Sequence, residues 1–156
     1  MIMDLGIYQL DIDLERTAAF YAQAPGIGCD CDGCRNYEKA VSHLPSPVLE
    51  LFQRLGIDPA KPAEVYANCA PTKESIFYGG WYHICGTIRK GRYPWIKIDE
   101  RHSYFDEACR VRLAENFSVY LNDKIYLLEE GFPTPVLQLE IEFTLPWVLP
   151  IPNTYP

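Results

Sequence analysis

Val136-Leu137-Gln138-Leu139-Glu140-Ile141-Glu142-Phe143-Thr144-Leu145-Pro146 is the stretch on which the fold turns. Leu137, Leu139, Ile141, Phe143 and Leu145 share one parity, while Gln138, Glu140, Glu142 and Thr144 share the other. Successive side chains on a strand point to opposite faces, so this is a strand with one face in a core. Near the other end, Leu10-Asp11-Ile12-Asp13-Leu14-Glu15 repeats the alternation. Two such strands belong in one sheet, and we expect them side by side. Leu5 and Ile7 fall in the opposite phase, which a bulge between Gly6 and Gln9 would reconcile.

Working inward, Ser75 to Arg89 is rich in aromatic and branched residues and is apolar on both faces, which places it centrally in the sheet. Its Gly79, Gly80 and Gly86 mark bends or close backbone approach. Tyr93 to Ile98 reads as an edge strand because of Pro94. Cys109, Val111 and Leu113 alternate with Arg110 and Arg112. Phe117–Leu121 and Lys124–Leu128 flank Asn122-Asp123, a two-residue hairpin signal.

Helical signals interrupt the strands. Thr17 to Ala24 forms a short helix stopped by Pro25-Gly26, and Cys34 to Leu44 forms another. Ser46-Pro47 caps a third, whose Leu49, Leu51, Phe52 and Leu55 share a face and which ends at Gly56. Asp58 to Pro62 is a loop, and Pro146 to Pro156 is an extended arm. The expected architecture is α+β: an antiparallel β-sandwich or partly open barrel with a two-helix insertion near residues 27–62. With 156 residues we expect a single domain, 1–156.

Composition narrows the function classes. Hydrophobic residues make up 48% and charged residues 22%, which are values of a globular chain. The net charge of −7 opposes binding to phosphate backbones, so no nucleic-acid partner is expected. The basic run Arg89-Lys90-Gly91-Arg92 is a solvated turn. Met1 to Gly6 lacks a basic region and a long apolar core, so it is not a secretory leader. No stretch approaches the ~18 apolar residues of a membrane span. We therefore expect a cytoplasmic protein, whose six cysteines are thiols or metal ligands and not disulfides.

The concentrated chemistry is Cys29-Asp30-Cys31-Asp32-Gly33-Cys34, a C-x-C-x-x-C cluster. Thiolates are soft, charged ligands, and three in one turn can face a single zinc ion at ~2.3 Å. Gly28 and Gly33 permit the tight loop. Cys34 sits near a helix N-terminus, where backbone N–H groups favour thiolate. Asp30 and Asp32 add like charge, which opposes ionisation without a metal; Arg35 and Lys39 offset part of it. A closed site needs a fourth ligand. His43 lies nine residues beyond Cys34, ~13 Å along a helix, and cannot reach. Cys69 is the first choice, ahead of His83, Cys85 and Cys109. Asn36, on the first turn, is a candidate support for the cysteine loop. Reduced, metal-free thiols remain the alternative.

Trp81, Tyr82 and His83 lie in the glycine-bearing strand. They are either core and sheet packing or a ligand-binding face beside the glycines. His83 and Cys85 stand two apart, and Asp99-Glu100-Arg101-His102 reads as a charged loop. No nucleophile elbow, zincin helix or dinucleotide loop occurs.

Three segments together carry a resemblance: Cys29-x-Cys31-x-x-Cys34-x-Asn36-Tyr37, Tyr78-Gly79-Gly80-Trp81-Tyr82-His83-x-x-Gly86, and Val136–Glu140 with the ending Leu145-Pro146-Trp147-Val148-Leu149. The chain resembles a group of small uncharacterised bacterial proteins that share the C-x-C-x-x-C-x-N-aromatic motif and an L-P-W-V-L-like ending. The resemblance implies a single small cytoplasmic domain and lends no activity. The reading that results is a non-enzymatic binding or interaction module with a structural zinc site and a protein partner. The competing readings are a metal- or thiol-dependent enzyme using Cys29, Cys31 and Cys34, and a small-ligand binder using the Trp81 and Tyr82 face.

Overall fold

A computed structural model describes residues 1–156. The chain runs β1 (Ile2–Leu5), β2 (Tyr8–Ile12), α1 (Leu14–Gln23), α2 (Asp32–Ala40), a 3-10 turn (Val41–His43), α3 (Ser46–Leu55), β3 (Glu64–Cys69), β4 (Ser75–Lys90), β5 (Trp95–Lys97) and β6 (Ser103–Phe105). A second 3-10 turn (Glu107–Cys109) then leads into β7 (Val111–Ala114), β8 (Phe117–Asn122) and β9 (Val136–Pro146). Seven antiparallel strands form one sheet in the order β1-β2-β4-β9-β8-β7, with β3 also on β4. β5 and β6 make a separate two-stranded sheet. The α+β class and the helical insertion are as expected, and the sheet stays open.

β9 shows why. Leu137, Leu139, Ile141, Phe143 and Leu145 are all buried. They join Ile76, Tyr78, Tyr82 and Ile84 of β4, and Phe20, Tyr37, Val48 and Phe52 of the helices, in one core. Removal of that apolar area from water is the main term holding helices to sheet. No helix is long and apolar enough to cross a membrane.

β4 is longer than any single neighbour. β9 pairs with Ser75–Cys85 along one edge, while β3 pairs with Phe77–Trp81 and β2 with Gly86–Lys90 along the other. The gap between β3 and β2 leaves the edge groups of His83 and Cys85 without a strand, and α1 supplies the missing partners. The Tyr21 hydroxyl accepts from the His83 N–H at 3.2 Å and donates to the His83 carbonyl at 2.8 Å. The Thr17 hydroxyl accepts from the Cys85 N–H at 3.0 Å, and the Asp13 N–H donates to the Cys85 carbonyl at 2.8 Å. Buried backbone polar groups must be paired, so α1 is fixed here as firmly as a strand.

Local chemistry sets the element ends. The Asp13 carboxylate accepts from the Arg16 N–H at 3.0 Å and caps α1, so the helix begins at Leu14 and the first strand stops earlier than the alternation implies. α3 carries Pro47 in its first turn and ends on Gly56 at φ +78°.

Three expectations are corrected. The change of phase near Gly6 is a reversal: Gly6 and Ile7 form a two-residue hairpin turn that pairs Leu5 with Tyr8, and Gly6 has φ +55°. The two end strands share the sheet but are not neighbours, because β4 lies between β2 and β9. Lys124–Leu128 is not a strand. Both edges of β8 are taken, by β7 and β9, so no ladder is open to it. The tight turn beside β8 lies on its other side, at Glu115-Asn116, where Asn116 adopts φ +67° between Ala114 and Phe117.

Candidate metal centre

The cysteine loop leads directly into α2. Cys31 is the N-cap, with extended backbone at φ −65° and ψ 161°, and Cys34 stands three residues on in the first turn. Side chains three apart on a helix overlie one patch. The sulfurs of Cys29, Cys31 and Cys34 all lie within 4.8 Å of one another. Three thiolates on one zinc stand roughly 3.8 Å apart, the edge of a tetrahedron with 2.3 Å arms. A small contraction therefore completes the geometry.

The surroundings make the three thiols unequal. Cys29 and Cys31 are exposed, whereas Cys34 is 8% exposed. The backbone N–H of Cys34 and then the Cys29 thiol hold the Cys31 thiol below its usual range. Burial, followed by the two neighbouring thiols, pushes Cys34 well above it. The Arg35 guanidinium turns to Asp32 at 3.3 Å and offsets one acidic neighbour.

The turn is held from outside. The Gly33 N–H donates to the Tyr155 hydroxyl at 3.0 Å, and the Tyr78 hydroxyl donates to the Gly33 carbonyl at 2.7 Å. A Cβ on Gly33 would stand 2.6 Å from the Tyr155 hydroxyl, so only glycine admits this approach. Asn36 is buried and does not address the sulfurs. Its amide N–H₂ donates to the Tyr78 hydroxyl and the Pro146 carbonyl, each at 3.1 Å, and its carbonyl accepts from the Val148 N–H at 2.7 Å. It ties α2 to the end of β9.

The group of convergent donors consists of the three loop cysteines and leaves out Cys69. Cys69 is exposed at the end of β3, where the register against β4 slips between Ala67 and Cys69. His43 stays outside the group, as its reach required. His83, Cys85 and Cys109 are fully buried elsewhere in the fold. A cleft of about 600 Å³ opens beside Cys29 and Cys34, with Ile27, Lys61, Glu64 and Glu129 among its walls.

The glycine-bearing strand does not offer Trp81, Tyr82 and His83 to one ligand. Alternation sends Tyr82 into the core, where its hydroxyl donates to the Pro59 carbonyl at 2.7 Å and meets the Tyr37 hydroxyl at 2.5 Å. Trp81, on the opposite face, donates its indole N–H to the Tyr126 carbonyl at 3.0 Å. His83 is fully buried on that same face. A face shared by Trp81 and Tyr82 is thus excluded by the strand's own period. Cys85 takes a contact from Arg16 at 3.7 Å, and His102 is exposed and pairs with Asp99 at 2.9 Å.

Sequence reasoning missed the polar chain behind the cleft. The His83 ring reaches Glu129 at 2.6 Å through Nδ1 and the Gln138 Oε1 at 3.0 Å through Nε2. That Oε1 also accepts the Tyr126 N–H at 2.7 Å, while the Gln138 N–H₂ donates to Glu140 at 3.0 Å. With Oε1 an acceptor twice over, Nε2 of His83 carries a proton. The polar parity of Gln138 and Glu140 along β9 was the one available signal. No family model matches the chain, and no curated protein and no solved structure matches it significantly.

Proposed function

We propose that the protein is a zinc-binding interaction module. Cys29, Cys31 and Cys34 take one zinc ion at the entrance of the cleft, and the fourth position is left to water or to a donor from a protein partner. The observation that carries this is the convergence of three sulfurs within 4.8 Å with no fourth histidine, cysteine or carboxylate in the group. Thiolate donors favour zinc over calcium or magnesium. The exposure of Cys29 and Cys31 supports a site reached from solvent and not a sealed staple. Three thiolates leave the ion electron-rich and a weak Lewis acid, which favours binding over hydrolysis.

We read the chain as one domain, since a single cluster of buried side chains runs through helices and sheet, and as cytoplasmic, since its six cysteines read as thiols or metal ligands. The resemblance to small bacterial proteins with the same cysteine spacing belongs to this reading. The experiment is elemental analysis joined to X-ray absorption at the zinc edge. One zinc per chain with three sulfur neighbours and one lighter neighbour is expected. Zinc far below one per chain, with no uptake on titration, overturns the reading.

A further inference from the structure

The first turn of α2 carries a second chemistry that needs no metal. Cys31 and Cys34 span one helical turn, with Cys31 at the cap and Cys34 on the turn's inner side. Their sulfurs lie within 4.8 Å, against about 2.05 Å in a disulfide. The pair is held unequally. Cys34 is packed in the core cluster. The residue between them, Gly33, is pinned by Tyr78 and Tyr155. On the other side of Cys31 the loop is open, and a Cβ at Gly26 or Gly28 would touch nothing within 4 Å. One thiol therefore faces solvent with room to move, and the other waits behind it.

We propose that Cys31 and Cys34 form a dithiol that exchanges with low-molecular-weight disulfides. The Cys31 thiolate attacks one sulfur of R–S–S–R. The S–S bond breaks, one RS⁻ leaves and takes a proton from water, and Cys31 keeps the other half as a mixed disulfide. Cys34 loses its proton to solvent and attacks Sγ of Cys31. The second RS⁻ leaves and is protonated, and a Cys31–Cys34 disulfide remains. The protein gives up two electrons and the substrate takes them, yielding two RSH. Exposure assigns the roles, because Cys31 lies open to an incoming disulfide and Cys34 is the buried member of the pair. Cys29 is exposed but lies ahead of the helix, without that anchorage. Zinc on the same sulfurs would withhold them, yet the exchange requires only the geometry of the turn.

The test uses reduced, chelator-treated full-length protein, oxidised glutathione, and mass-spectrometric mapping. Cys69 is exposed and outside the cluster, so it serves as an internal reference thiol. The wild type is expected to form the Cys31–Cys34 bond. Cys34→Ser is expected to accumulate one glutathione on Cys31, at least about tenfold faster than on Cys69. Cys34→Ala serves if the serine variant misfolds, and the wild-type map decides in either case. Glutathione spread evenly over Cys29, Cys31 and Cys69, or a Cys29–Cys31 bond in the wild type, overturns the proposal. Zinc titration is read separately, so a chain that takes no zinc but forms the Cys31–Cys34 bond removes the metal reading alone.

Discussion

Gly33 and Tyr155, 122 positions apart, are joined by a hydrogen bond of 3.0 Å from the Gly33 N–H to the Tyr155 hydroxyl. The carboxy-terminal arm thus closes over the turn that carries the cysteines, and the Ala70 N–H donating to the Pro156 carbonyl at 2.7 Å holds its tip. Tyr155→Phe removes the acceptor and is expected to lower stability by about 1 kcal/mol. Faster amide hydrogen exchange at Gly33, with β9 unchanged, is the measurement.

Asn36 is the more costly contact. Asn36→Ala leaves the part-buried Val148 N–H and Pro146 carbonyl without their partner and the buried Tyr78 hydroxyl without a donor. The expected loss is about 2–4 kcal/mol in urea unfolding. Zinc stoichiometry should stay unchanged, because Asn36 does not reach the sulfurs.

Tyr8 runs the other way. Its ring is buried and its hydroxyl makes no well-formed hydrogen bond, facing only the Cys109 thiol and the Leu121 backbone as weak partners. Burial is also the main cause that pushes its phenol well above the usual range. Tyr8→Phe removes an unmet polar group and keeps the packing. It should raise stability by about 0.5–1 kcal/mol, read as a shift in the urea midpoint at constant slope.

Acid sensitivity has three legible sources, Asp99, Asp106 and Glu107, of which Asp106 is paired across the longest stretch of chain. The Arg92 guanidinium, and after it the Ala108 N–H, hold the Asp106 carboxyl below its usual range. A depressed carboxyl contributes stability above its unfolded value and loses it as pH falls through its folded value. Asp106→Asn is expected to flatten the stability curve between about pH 2 and pH 5 while leaving the neutral limb parallel to the wild type. Urea midpoints across that range give the answer.

Chelation should leave the fold standing. α2 is held by hydrogen bonds through Asn36, Tyr78 and Tyr155 and by packing of Tyr37 and Ala40 in the core. Zinc-loaded protein treated with a chelator is expected to keep its far-ultraviolet circular dichroism, with the melting temperature falling by a few degrees. Global unfolding on chelation would show the metal to be a folding staple.

What the chain reveals in advance follows from periodicity. β9, the interior of β4 and the helix from Ser46 to Gly56 were readable because apolar spacing, proline and glycine act locally. Lys124–Leu128 misled because its β-rich composition says nothing about a free edge, and β8 had none left. The convergence of Cys29, Cys31 and Cys34 was legible from spacing alone. Their supports were not: Tyr155, Tyr78 and Pro146 come from distant segments, and nothing in their immediate neighbours marks them. Cys69 follows the insertion in the chain, but order along the chain does not bring a sulfur into the cluster.

The gap in the edge of β4 has a bearing on synthesis. Thr17 and Tyr21 leave the ribosome long before His83 and Cys85, the residues whose backbone they satisfy. For that interval the first helix has neither its strand nor its share of the core, and the nascent chain carries an unmatched apolar face. Translation speed across residues 24 to 90 therefore sets how long that face is open to chaperones. Slow codons placed there should cost soluble yield without altering a single contact in the finished molecule.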